Sequence, residues 1–139
     1  MADKTYVPEG EAAPASQIGA TLEALAATIA ARRGAGAESY THQLLCGELD
    51  RPLKKVAEEA VEVGLAAKDA DAARGADRGA AVDHLRYEAA DVVYHLMVVV
   101  ERFGISIDEF AAELNNRMTD AERPQGAVRL HDEFVRRGK

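Results

Sequence analysis

The feature that most constrains this chain is the run 82–103, whose residues repeat at helical spacing and are apolar around most of the circumference. A helix of that character cannot stand alone in water and has to be wrapped by other elements. Its few polar residues are therefore informative. On a wheel turning about 100° per residue, His84, Glu88, Asp91, His95 and Arg102 fall within roughly 60° of one another, beside Leu85, Val92, Leu96 and Val99. Asp83, Tyr87, Tyr94 and Glu101 gather elsewhere and are expected to face solvent. Glu88 and Asp91 repel each other, and burying both is costly unless a cation or a hydrogen-bond donor offsets their charge.

Other helical segments are available to do the wrapping. Ile18, Leu22, Leu25 and Ile29 recur at helical spacing up to Arg32 and Arg33, before Gly34 and Gly36, which predicts a helix over 18–33. Residues 39–46 read as a short helical turn closed by Gly47. Asp50 reads as an N-cap with Pro52 in the first turn, opening a helix that runs through Ala70. The stretch 69–80 is Ala, Asp, Arg and Gly without periodicity and reads as a loop or a frayed helix end. Gly104 ends the long helix, and Ser106 with Glu109 forms a capping box for a helix over 107–118. No alternating strand pattern occurs, so the expected fold is an all-α bundle of four main helices. Residues 1–17 read as a flexible leader, 18–118 as one helical domain, and 119–139 as a tail of undetermined structure, with no internal repeat.

Composition narrows the partners. Of 139 residues 28 are Ala, only seven are Phe or Tyr, and none is Trp, so the bundle has few large anchors and gains by sharing its core with a second copy. A homodimer or higher oligomer is expected. The net charge of −7 argues against a phosphate-tracking nucleic-acid surface. The most apolar stretch, 92–100, is interrupted by His95 and falls far short of the roughly 20 residues that cross a membrane. With a single cysteine, Cys46, and no apolar signal segment, the chain reads as cytoplasmic.

A second acidic group, Glu58-Glu59-x-x-Glu62, lies on the 50–70 helix. Spacings of three and four keep such residues on neighbouring turns, so Glu59 and Glu62 from one helix can meet Glu88 and Asp91 from the other. An all-carboxylate set suits hard cations such as Mg²⁺ or Mn²⁺ better than zinc. The alternative is a plain solvated face: Leu53, Val56, Ala57, Ala60, Gly64 and Ala67 form the apolar stripe of this helix, and the three glutamates lie off it. Lys54 and Lys55 precede Glu58 and Glu59 by four residues, the less favourable order for a helix-stabilising pair. His95 equally suits a hydrogen-bonded core histidine, and Lys55 and His84 equally suit ordinary surface.

The words around these acids carry a narrower signal: Ser39-Tyr40-Thr41 with Leu44-Leu45, the run from Lys54-Lys55-Val56 through Glu58-Glu59-Ala60-Val61-Glu62, the run Tyr87-Glu88-Ala89-Ala90-Asp91-Val92-Val93-Tyr94-His95, and Gly104-Ile105-Ser106. The chain thereby resembles the phosphoribosyl-ATP pyrophosphatases of histidine biosynthesis, within the all-α MazG-like nucleoside-triphosphate pyrophosphohydrolases. The superfamily pattern E-x-x-E, spacer, E-x-x-D stands here as Glu59-x-x-Glu62 and Glu88-x-x-Asp91 with 25 residues between. Ala57 departs from the glycine usual in the family word.

The resemblance implies Mg²⁺-dependent hydrolysis of the α–β phosphoanhydride of phosphoribosyl-ATP to phosphoribosyl-AMP and pyrophosphate. It implies metal binding by Glu59, Glu62, Glu88 and Asp91, with Mn²⁺ an alternative ion. Glu58, Glu59 and Glu62 are the catalytic candidates, Glu58 in a supporting role. Lys55, Arg33, Ser39, Tyr40 and His95 are the substrate-binding candidates. Three rival readings remain. A house-cleaning pyrophosphatase acting on dUTP or dCTP would use the same acids. A di-iron bundle calls for Glu-x-x-His, which the chain lacks. A non-catalytic helical oligomer would use its acids only for solubility.

Overall fold

The computed structural model describes residues 4–137. Among them the regular elements are all helical: α1 (Gln17–Ala31), α2 (Tyr40–Cys46), α3 (Asp50–Ala72), α4 (Ala76–Arg102) and α5 (Ile107–Asn115), with 3-10 turns at Arg32–Gly34 and Asp132–Phe134. Three helices start on a serine. Ser16, Ser39 and Ser106 accept hydrogen bonds from the amides of Gly19, His42 and Glu109 at 3.1, 3.3 and 3.0 Å, each satisfying a first-turn donor that has no partner inside its helix. The expected cap at Asp50 is not made. Leu49 stands at that position without a side-chain bond, and Asp50 lies inside the first turn, where its charge favours the positive end of the helix dipole.

The stretch 69–80 is not a loop. α3 continues to Ala72 and α4 begins at Ala76, leaving a turn of 73–75. Alanine is the best helix former, and arginines close the end of α3: Arg74 donates to the carbonyls of Asp71 and Ala73, and Arg78 to that of Ala70 at 2.8 Å. Gly75 makes the reversal at φ +57°, a conformation that L side chains rarely adopt. At the other end α5 stops at Asn115 rather than 118. There the Arg123 guanidinium takes the carbonyls of Asn115 and Met118 at 2.8 and 2.6 Å, and the Asn115 amide donates to Val128 O at 2.9 Å. The segment after α5 is thus tied back along that helix.

The core occupies one end of the molecule. Ile29 of α1, Leu44 and Leu45 of α2, and Met97 and Val98 of α4 are buried together, with Leu22, Leu25, Tyr94 and Ile107 packed around them. The earlier half of α4 pairs with α3, along a narrow seam in which Pro52, Glu59, Ala66 and Ala70 of α3 are buried. Intervals of seven and four place these residues on one helix face. Of the stripe expected to be core, Val56 is half-buried but Leu53, Ala57, Ala60, Gly64 and Ala67 are exposed, and Val61 and Leu65 are about 60% exposed beside them. On α4 the expected solvent stripe also divides. Tyr87 is exposed, but the Tyr94 hydroxyl meets that of Thr41, and Glu101 accepts from Arg33. The accessible surface is 10423 Å², against about 7,000 Å² for a compact monomer of this size.

Candidate active site

The acids meet where the α3–α4 hairpin joins the core. Glu59, Glu88 and Asp91 each bring one carboxylate oxygen within 4.8 Å of the others. Glu59 and Glu88 are 4% and 8% exposed, so the solvated-face reading fails for Glu59, while Glu88 is buried as the apolar surroundings of its helix predict. Periodicity pointed the wrong way because the more apolar stripe of α3 is the one left outside. Glu88 takes a bond from His84 Nε2 at 2.7 Å through one oxygen. Its other oxygen, Oε2, is buried with no hydrogen-bond partner among the described residues. A buried carboxylate oxygen left unpaired costs of the order of a few kcal/mol, and a cation held among three carboxylates removes that cost. The donor set therefore fits a hard metal ion.

Glu62 lies one turn beyond Glu59, at the exposed mouth of the cluster. Its hydrogen bond with Glu59, and then the negative charges of Glu59 and Glu88, hold its carboxyl above the ordinary range. Glu59 is held below that range, chiefly by its bond to the Lys55 ammonium at 2.9 Å. The same bond holds Lys55 well above its ordinary value. Glu58 stays outside the cluster, facing Lys55 at 3.4 Å and Lys54 at 3.7 Å.

His95 forms the inner wall. Its Nδ1 lies 2.9 Å from the Asp91 carbonyl, which can only accept, so this nitrogen carries a hydrogen. In the neutral ring Nε2 then accepts from the Tyr40 hydroxyl at 3.1 Å. The imidazole stands edge-on to Tyr40 and Tyr94, and its Nδ1 is 3.9 Å from Glu59 Oε1. Burial pushes the Tyr40 phenol up, opposed by the Lys55 charge, which keeps it a donor at neutral pH.

Two substrate-binding candidates are not brought to the acids. Arg33 is engaged with the side chain and carbonyl of Glu101 at the far end of α4. Ser39 spends its hydroxyl capping α2. Conversely, two contacts escaped the sequence reading. His84 bonds Glu88, a contact its four-residue spacing allowed, and the Arg51 guanidinium lies over the Tyr40 ring at 5.5 Å, a pairing no local spacing signals.

This arrangement of two acidic pairs on a helical hairpin agrees with the comparison against protein families, in which the phosphoribosyl-ATP pyrophosphohydrolase profile matches residues 22–118. The chain belongs to that family. The matched segment contains every residue of the acidic cluster and the walls around it. Among curated proteins, the chain is 40% identical over 110 residues to a phosphoribosyl-ATP pyrophosphatase of Paracidovorax citrulli, covering 76% of each chain. It is 40% identical over 109 residues to that of Limosilactobacillus fermentum, covering 75% of this chain and 93% of the relative. A histidine biosynthesis bifunctional protein of Halalkalibacterium halodurans is 42% identical over 98 residues, 70% of this chain and 41% of the relative. No solved structure matches. No helix among the described residues is long and apolar enough to cross a membrane.

Proposed function

We propose that this protein hydrolyses the α–β phosphoanhydride of phosphoribosyl-ATP, releasing pyrophosphate and phosphoribosyl-AMP, the second step of histidine biosynthesis. The observation that carries the reading is the convergence of Glu59, Glu88 and Asp91 within 4.8 Å, with a buried carboxylate oxygen of Glu88 left unpaired. Glu59, Glu62, Glu88 and Asp91 would hold Mg²⁺, with Mn²⁺ a substitute. A bound divalent cation supplies charge shielding for the phosphates and lowers the pKa of an attacking water.

The chain's own residues do the rest. Glu62, exposed one turn beyond Glu59, would complete the acidic set on the side open to substrate and water. Lys55 and the Tyr40 hydroxyl line the same rim and face the anionic substrate. His95 fixes the orientation of Tyr40 and stands on the core side of the acids. Glu58 supports the site by balancing Lys54 and Lys55. Arg33 and Ser39 act at one remove, holding the α1–α2 connection and the α2 start that present Tyr40.

The exposed stripe of α3 supports self-association, with a second copy covering Leu53, Val61 and Leu65. The catalytic domain is assigned to 18–118 and the site to the cytoplasm, where the nucleotide substrate is made. Pyrophosphate release measured with phosphoribosyl-ATP, dUTP and dCTP, each with Mg²⁺, tests the proposal. Turnover should be fastest on phosphoribosyl-ATP; faster turnover of dUTP or dCTP would replace it with a house-cleaning activity.

A further inference from the structure

The Lys55 ammonium is bonded to Glu59 Oε1 at 2.9 Å, and that carboxylate belongs to the cluster that fits a cation. One group is therefore offered to two positive partners. An ion bonded to Glu59 at usual oxygen distances of about 2.0–2.6 Å stands within about 6 Å of an ammonium on the same carboxylate. Repulsion between a double and a single charge at that range exceeds thermal energy even at the dielectric constant of water. The two cations compete.

We infer that Lys55 is the resident counter-ion of Glu59 in the metal-free site, and that a divalent cation displaces it onto Glu58, where it becomes available to an incoming phosphate. The inference rests on the metal-site reading above and adds an order to it, metal first and phosphate second.

Three observations support it. Glu59 is 4% exposed, so without a metal its charge needs a partner, and Lys55 is the cation bonded to it. Lys55 itself is about a third exposed and sits on the rim, free to move where Glu59 is not. Glu58 Oε2 already lies 3.4 Å from the same ammonium, so the transfer is a small side-chain rotation with an acceptor in place. Lys54 provides an internal comparison, since it carries the same charge one residue away but contacts Glu58 alone, at 3.7 Å.

The test is calorimetric titration of Mn²⁺ into the metal-free full-length protein and its variants, followed by titration of pyrophosphate at saturating Mn²⁺. Lys55→Gln should bind Mn²⁺ about fivefold more tightly, the scale of one partly exposed ion pair, and pyrophosphate correspondingly more weakly. Lys55→Arg should return both affinities toward the native values, and Lys54→Gln should leave both within about twofold, since a partly screened surface charge adds little. Unchanged or weaker Mn²⁺ binding in Lys55→Gln overturns the displacement while leaving the metal site standing. Equal tightening in Lys54→Gln and Lys55→Gln also overturns it, because net charge alone would then explain both. If neither the native protein nor any variant binds Mn²⁺, the metal-site reading and the inference fall together.

Discussion

At the residue scale the decisive group is Glu88. Its unpaired, buried Oε2 is a stability cost that a bound cation removes. Glu88→Gln keeps the shape and deletes the charge, so the metal-free variant should be more stable than the native protein by about 1 kcal/mol. It should also lose the rise in melting temperature that Mg²⁺ gives the native protein. Thermal melts with and without Mg²⁺ check both halves. Acid dependence follows from the neighbours. Glu62 is raised by Glu59, so its contribution favours the fold below its ordinary value of 4.5 and is lost as pH rises through the raised value. Glu59 is lowered by Lys55, so its contribution is present above 4.5 and lost as pH falls through the lowered value. Melts in EDTA should therefore show stability rising as pH falls toward 4.5 and declining below it. The acids themselves were legible in the sequence as E-x-x-E and E-x-x-D. The burial of Glu88 was legible too, from the apolar helix around it, but that of Glu59 was not, because a helical wheel ranks faces by hydrophobicity and cannot see which face a charged cluster will turn inward.

Among the elements, the α3–α4 hairpin sets the site, and its turn is far shorter than the composition of 69–80 suggests. Two glycines in an Ala, Asp and Arg stretch read as a loop or a frayed helix end, yet only Gly75 reverses the chain, while Gly79 sits within α4 with open space around its missing Cβ. The two positions should respond oppositely. Gly75→Ala forces an L side chain to positive φ and should cost about 1–2 kcal/mol. Gly79→Ala removes backbone freedom from a helix and should gain up to about 1 kcal/mol. Urea denaturation of the two variants reads the difference directly. The serine-capped start of α5 and the glycine stop after α4 were legible because caps are local. The arginine closure of α3 by Arg74 and Arg78, and of α5 by Arg123, depends on side chains reaching back along the chain, and no short-range pattern announces that.

On the scale of the whole molecule, the small core follows from the composition, and the exposed segment 4–16 adds to the surface. Alanine-rich helices pack closely along the α3–α4 seam but bury little area there, and the larger side chains Leu53, Val61 and Leu65 are left outside. The composition had already pointed to a shared core, and the open face of α3 supplies a place for it. Leu65→Glu should convert an oligomer to a monomer in sedimentation without altering helix content, whereas an unchanged oligomeric state would put the contact elsewhere. The central claim is that the buried acids are a hydrolytic metal centre, and its most direct measurement is Mg²⁺-dependent pyrophosphate release from phosphoribosyl-ATP by the native protein and by Asp91→Asn, each checked for helical content. The Asp91→Asn variant should keep its helices and lose at least about 100-fold in rate. A folded Asp91→Asn variant turning over at the native rate would contradict it.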